Sequence, residues 1–575
     1  MIPPSTDLLR RSMNRFISFA APPALRLFAA TPVLGLLAVL GLLTALSGCS
    51  KNEPEQARST DAKTAATAAE APKNLRVGNG TEPQDLDPHV VSGVPEHKII
   101  SALLEGLVTY APHGGIAPGM AERWDISEDG LTYTFHLRAN AKWSNGEPLT
   151  SQDFVSSFKR ILTPSLGAEY AYKLFHLVNA EEFNTGKLTD FSKVGAQAVD
   201  AHTLRLTLKH RTPFLLESLQ HYAWFPVHLP TLRKFGEPER KGSAWTRPGN
   251  YVGNGPFTLV DWSPNQKITV ARSRTYWDQD HVRLDGIEFY AIDSAETEER
   301  LFRTGKLDYC NTLPLGKIET YRRENPASYH QDPYYGVYYY RFNVTRKPLD
   351  DRRVRRALAL AIDREAIIRS ILRSGGQSPA LHFTPPSPKF AASIQLTGDL
   401  AEAKRLLAEA GYPDGQNLPP IDILFNTSES HRIIAEAIQQ MWKTRLGVNA
   451  TITNQEWKVY LDSQRTGNFQ VARAGWIGDY NDPHTFLDLW ITGGGNNQTG
   501  WSNSAYDQLL RGALETKTEP ERMAVYQSLE AILADEAPVI PIYFYSRVYA
   551  LNPKVLNWTT NPLDSRGWKW VDLAP

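Results

Sequence analysis

Cysteine is almost missing: Cys49 and Cys310 are the only two in 575 residues. If Cys49 is used elsewhere, no intramolecular disulfide can form, and stability must come from a packed core. Cys310 is then expected to be a small buried apolar residue, not a reactive thiol. The usual marks of catalysis are also missing. No G-x-S-x-G, H-E-x-x-H, C-x-x-C or G-x-x-x-x-G-K-[ST] sequence occurs. The histidines that come nearest to a cluster, His202, His210, His221 and His228, lack the i, i+3 or i+4 spacing of a helical metal pair, so they read as packed or solvated. The GNG sequences at 78–80 and 253–255 read as turns, because neither extends to a dinucleotide fingerprint. Lys plus Arg equals Asp plus Glu at 62 each, which gives no basic surface for nucleic acid.

What is present is apolar and aromatic: 42% hydrophobic and 10% aromatic residues, enough for two or three domains. A large chain with many aromatics and no visible nucleophile, metal set or cofactor loop fits binding better than catalysis, so no enzyme activity and no cofactor are expected. The one long apolar run, Thr31–Ser47, follows Arg10, Arg11, Arg15 and Arg26 and ends at Leu46-Ser47-Gly48-Cys49. It is short for a membrane span, which takes roughly 20 apolar residues. We read 1–48 as an export signal and Leu46–Cys49 as resembling a bacterial lipobox, with Cys49 acylated. Two or three acyl chains anchor firmly where one is marginal. Ser50, in place of Asp, resembles the pattern sorted to the outer membrane, so the expected location is the periplasm or cell envelope. Residues 49–73, rich in Ala, Thr, Ser and charge, read as a disordered tether. Without residues 1–48 the net charge is about −3.

Beyond the tether, periodicity and punctuation predict a strand from Asn74, a loop, and a helix with Pro95 in its first turn. The sequence "LTYTFHL" alternates as a strand, and Thr150 or Ser151 caps a helix with Asp153 in its first turn. Two alternating strands fill 251–273. A new strand opens at 334, and "DDRRVRRALALAIDREAIIRSIL" is expected to be one helix with its Arg and Asp on the wetter face. Strand and helix then alternate to the end of "FQVARAGW", which favours an α/β fold.

Several blocks carry a family resemblance: "EPQDLDPH", "LLEGLVTY", "LTYTFHLRANAKWSNGEPLTSQDFVSSFKRIL", "GNGPFTLVDW", "VRRALALAIDR", "ARAGWIGDYNDPHTF" and "APVIPIYFYSRV". They run in order over nearly the whole mature chain. In them the chain resembles the extracytoplasmic solute-binding proteins (family 5) of peptide ABC transporters, above all the oligopeptide-binding members. The resemblance implies an α/β, periplasmic-binding-protein-like fold of two lobes with a hinge and three domains. Domain I would be 74–104, 229–335 and 547–575, domain II 105–228 and domain III 336–546. It also implies a monomeric receptor for short peptides of about two to five residues, held extended through their backbones and handed to a membrane permease. A specialised ligand (murein tripeptide, glutathione, haem or nickel) on the same scaffold is the family alternative, and an extracytoplasmic chaperone or hydrolase is the alternative from another class.

Carried over residue by residue, the resemblance implies that Asp479 meets the peptide α-ammonium. Arg473 would meet the carboxylate of a short peptide, or else a neighbouring acid. Gly475 and Trp476, with Ser92, Gly93 and Val94, would supply backbone and pocket contacts. Trp457 and His431 would lie near side-chain pockets or a terminus, and Tyr339 is expected on a strand facing core or cleft. Asp482 and Pro483 read as helix punctuation. Two positions depart from the family pattern. Gln464 stands where close relatives carry a basic group, with Arg465 beside it, and Arg341 stands where relatives often carry an acid.

Overall fold

The computed structural model describes residues 72–373 and 375–575. The signal, Cys49 and nearly all of the tether lie outside the described residues. The architecture is mixed α/β, built on an 11-stranded sheet.

Two long antiparallel strands, Tyr329–Phe342 and Val539–Leu551, form its axis. At one end Tyr309 lies opposite Leu551, joining the axis to strands Asn74–Gly78, Gly286–Tyr290, Lys267–Arg272 and Phe257–Ser263. At the other end Gly336–Phe342 pair with Val471–Ile477, beyond which lie Ile421–Asn426 and Ala450–Gln455. The register between the two long strands shifts between Pro333 and Val337 and again between Tyr338 and Tyr339. The ladder is thus interrupted where it passes from one half of the sheet to the other. The strand expected from 334 begins at Tyr329, and the boundaries expected at 336 and 546 fall inside these two strands. The aromatic run signals only the doubly buried part: Val337 and Tyr339 feed one core, and Tyr338, Tyr340 and Phe342 feed another.

A separate four-stranded antiparallel sheet holds Ala121–Ile126, Thr132–Leu137, Thr203–Thr207 and Ala196–Asp200. Helix Ser151–Leu162 packs on it through Phe154, Phe158, Ile161 and Leu162, one apolar stripe at i, i+4, i+7 and i+8. Its start is fixed as expected, with Thr150 N donating to Asp153 Oδ2 at 2.7 Å. Arg160 near its end is buried and bidentate to Asp87, at 2.9 and 2.6 Å, and also donates to the Pro238 carbonyl. Burial alone would raise the Asp87 carboxyl, but the Arg160 charge and hydrogen bonds hold it below the usual range. This pair pins the loop 85–91, the sequence "DLDPHVV", to the helix.

The segment 350–372 departs from expectation. It is not one helix but Arg352–Leu360, then Arg364–Ile367 capped by the Asp363 carboxylate on Ala366 N, then a wider turn Ile368–Leu372. Nor are its arginines all on a wet face. Arg355 and Arg364 are buried. Arg355 donates to the carbonyls of Glu536, Ala537, Leu349 and Asp350, and Arg364 to those of Pro541, Ala359 and Ile362. These guanidinium groups are bound by main-chain carbonyls, among them those of Glu536 and Ala537, which end helix Glu519–Glu536 and lack an intrahelical partner. Arg355→Met should therefore lower unfolding free energy by about 3 kcal/mol. Arg352→Ala, at an exposed pair with Asp535, should change it by less than about 0.5 kcal/mol. Denaturant melts of the two variants distinguish these values.

Candidate ligand-binding cleft

Strand Val471–Ile477 has two different edges. One is paired along its length by Tyr329–Phe342, whereas the other meets Ile423 and Leu424 only at Val471 and Ala472. Asn343 N donates to Gln470 O, and Gly478 N to Tyr335 O. An antiparallel ladder alternates its bonding direction at every residue. Even-numbered residues here thus bond toward Tyr329–Phe342, and Arg473, Gly475 and Ile477 turn their N–H and C=O groups outward. The Tyr460 hydroxyl takes the Arg473 carbonyl. Gly475 and Ile477 face a cavity of about 100 Å³.

Across that cavity lies the Ser92–Gly93–Val94 loop, where helix Val94–Leu103 begins. Gly93 is needed for close approach, since a Cβ there would sit 1.9 Å from Glu96 Oε2 and 3.0 Å from Trp457. The Glu96 carboxylate folds back to accept from Gln84 N at 2.6 Å and Trp457 Nε1 at 3.2 Å, and its burial raises it to about 7. At Gly475 a Cβ would lie 2.6 Å from the Tyr545 hydroxyl. Trp476, nearly buried, lines the same cavity beside Tyr170, with ring centroids 6.0 Å apart.

Asp479 closes one end. Its Oδ2 lies 2.5 Å from Lys173 Nζ, its Oδ1 lies 3.5 Å from His221 Nε2, and its main-chain N donates to Thr485 Oγ1 at 3.0 Å. Ala223 N donates to His221 Nδ1, so that nitrogen is bare and Nε2 carries the hydrogen facing Asp479. Burial holds the imidazole neutral, well below its ordinary value, and the Lys173 charge adds to this. Lys173 Nζ is also 3.8 Å from Asp488 Oδ2 and stands within 4.7–5.8 Å of the Tyr480, Tyr172 and Tyr170 ring centroids. Burial raises both carboxyls, Asp488 to about 7.

Toward the other end of the strand stands Arg473. Its Nη2 donates to the Tyr545 hydroxyl at 2.9 Å, its Nη1 donates to Asn426 Oδ1 at 3.2 Å, and the group sits 4.6 Å from the Tyr338 ring centroid. No carboxylate pairs with it among the described residues. His431 is adjacent: its Nδ1 is 3.4 Å from the Tyr338 hydroxyl, and burial together with the Arg473 charge keeps it neutral.

Of the residues carried over from the resemblance, Ser92, Gly93, Val94, Gly475, Trp476 and Asp479 line one cavity. Trp457 stands behind it, stacked on Tyr460 at 5.7 Å, and Arg473 and His431 lie together against Tyr338 outside that lining. Tyr339 does not join them. It is fully buried, edge-on to Phe383 and Trp490, and its hydroxyl accepts from Arg341 Nη2 at 2.9 Å. Arg341 is buried by that contact and by Gln498. Arg465 is paired with Asp462 on the surface and does not replace a cleft cation at the buried Gln464. Asp482 does accept from His484 N, but it is more than punctuation: it is buried and bidentate to Arg522 at 2.9 and 2.8 Å. Lys173 and Asp488 lie at the site without having been singled out from the sequence, and so does His221, which reads from the sequence only as a packed or solvated histidine. The readable signal was a charge set among apolar or aromatic neighbours, as in "YAYKLF" and "FLDLW".

The family model of bacterial extracellular solute-binding proteins, family 5 (middle), matches residues 115–498. The periplasmic oligopeptide-binding protein OppA of Escherichia coli K12 is 38% identical over 523 residues, covering 88% of this chain and 94% of that one. Among solved structures, Haemophilus influenzae OppA in complex with the peptide RPPGFSPFR superposes with a TM-score of 0.83 at 32% identity, covering 88% of this chain and 99% of that one. The Escherichia coli murein tripeptide-binding protein MppA gives 0.83 at 36% identity, with the same coverage. The unliganded open form of MppA, covering 87% of this chain and 97% of that one at 36% identity, gives only 0.58. This chain belongs to the bacterial extracellular solute-binding proteins, family 5.

Proposed function

We propose that the protein is a receptor that captures short peptides in the cleft between Ser92–Val94 and Gly475–Asp479 and delivers them to an ABC permease for import. The observation that carries this reading is the outward-facing main chain of Gly475 and Ile477, a sheet edge without a strand partner inside a cavity. An extended peptide adds the missing strand through groups common to every sequence, so affinity does not depend on side-chain choice. Arg473 and Asp479 are six residues apart on one chain, a span of at most ~20 Å, or about five extended ligand residues between a carboxylate reader and an ammonium reader. The two sheet halves share only the long strands Tyr329–Phe342 and Val539–Leu551, whose register breaks suit a hinge between lobes. The better superposition on the peptide complex of OppA than on open MppA supports a closed arrangement here. We further read the protein as lipid-anchored in the cell envelope through Cys49, and its role as binding without catalysis.

Native mass spectrometry of the purified protein should find co-purified peptides of about two to five residues, and titration calorimetry should show saturable binding of tri- and tetrapeptides. Turnover of those peptides, or no binding by any of them, contradicts the reading. Asp479→Ala should weaken a free-amino tetrapeptide at least tenfold, about 1.4 kcal/mol, and its N-acetylated form far less. Equal losses would remove Asp479 from that role. Arg473→Met should likewise penalise peptides with a free carboxylate more than their C-terminal amides. In cells, Cys49→Ala should move the protein from the membrane to the soluble fraction; retention in the membrane would exclude the acyl anchor.

A further inference from the structure

The charges around Asp479 do not balance. Two carboxylates, Asp479 and Asp488, share one ammonium, Lys173, at 2.5 and 3.8 Å. Lys173 comes from the turn Ala171–Leu174 and the two aspartates from the segment after strand Val471–Ile477, so the contact joins segments some 300 residues apart. Of the other charged neighbours, Asp482 is bound bidentately by Arg522 of helix Glu519–Glu536, whereas Glu217, which accepts from Asn481 N at 2.8 Å, adds a further negative charge. The surrounding histidines add nothing. Burial holds His176 down at about 3, and His221 and His484 also lie well below their ordinary values. The tyrosines at the site, Tyr170, Tyr172, Tyr222, Tyr480 and Tyr506, stay protonated because burial raises them. Tyr110 and Tyr526 are raised in the same way.

We propose that Asp479, Asp488 and Lys173 form a cation-exchange site one positive charge short, which takes a ligand ammonium in place of a proton, so that capturing a free-amino peptide releases acid. The proposal rests on the peptide-binding reading above and names Lys173 and Asp488 as specificity-determining residues beside Asp479. Without ligand, two buried carboxylates against one lysine hold a proton between them, because an uncompensated buried charge is costly. Burial and the neighbouring Asp479 charge place Asp488 at about 7, and the shared proton belongs to the pair, not to either group. An arriving ammonium at Asp479 Oδ1, which the neutral His221 faces at 3.5 Å, supplies the missing charge. The proton then leaves to solvent, the ligand keeps its own three, and the site is neutral with two carboxylates and two cations. The sign follows: a group that binds its proton more tightly in the free protein than in the complex weakens binding as pH falls through its free-state value. A neutral or N-blocked ligand end offers no such exchange.

Calorimetry at pH 6.0, in buffers of differing ionisation enthalpy, reads this directly. At that pH a peptide α-amine, ordinarily titrating near 7.7–8, is fully charged. Wild type should release about one proton per free-amino tetrapeptide bound and none with the N-acetylated peptide. Its affinity should fall severalfold from pH 7.5 to 5.5. In Asp488→Asn, release should vanish and the fall with pH should flatten. Independently of any ligand, potentiometric titration from pH 8.5 to 5.5 should show wild type taking up about one more proton than Asp488→Asn. If that variant does not fold, as judged by circular dichroism, Asp479→Asn reads the same shared proton. Free-amino peptide binding without proton release at pH 6.0, or identical titration curves, overturns the proposal. A silent calorimeter with the extra proton still present overturns the peptide reading instead.

Discussion

Main-chain hydrogen bonding is the constraint around which this molecule is arranged. A buried N–H or C=O must find a partner, and nearly all in a folded protein do. Strand Val471–Ile477 obeys this rule along one edge and breaks it along the other, where Gly475 and Ile477 face a cavity. The neighbouring strand Ile421–Asn426 could have covered that edge but pairs with it only at Val471 and Ala472. Gly475 leaves room for the Tyr545 hydroxyl, Gly93 lets the opposite loop fold tightly over Glu96, and Arg160 fixes the preceding residues 85–91 to its helix through Asp87.

Electrostatics at the two ends of this edge follow different logic. Arg473 is held by neutral oxygens and aromatic faces, which hold its charge without cancelling it. Asp479 already has a cation, Lys173, but shares it with Asp488. With both carboxylates ionised, the Asp479 end carries one negative charge more than Lys173 offsets, and Arg473 has no carboxylate partner among the described residues; in the proposed reading a zwitterionic extended chain would supply both missing charges. In that reading, charge complementarity would select for free termini while the backbone pairing would stay indifferent to side chains.

Much of the fold was legible in the sequence because local rules and the global packing agree. Alternation marked Thr132–Leu137 and Phe257–Ser263, and the Thr150/Asp153 box marked a helix start. The exceptions are places where distant contacts decide. Arg355 and Arg364 read as solvent-facing because their partners, carbonyls near residues 536–541, lie far along the chain. Tyr339 sits on a strand whose two faces are both buried, so alternation alone does not say which face meets a ligand. In the site, Gly475, Trp476 and Asp479 came from a family pattern. Lys173 did not, since its pairing with Asp479 depends on apposing segments some 300 residues apart.

The central claim is that the free edge of Val471–Ile477 receives a peptide backbone. Hydrogen exchange monitored by mass spectrometry tests it most directly. Adding a saturating tetrapeptide should slow exchange at the amides of Gly475 and Ile477 and in the Ser92–Val94 loop, while the already paired Tyr329–Phe342 strand changes little. Saturable binding that leaves Gly475 and Ile477 exchanging at their ligand-free rate would contradict the account.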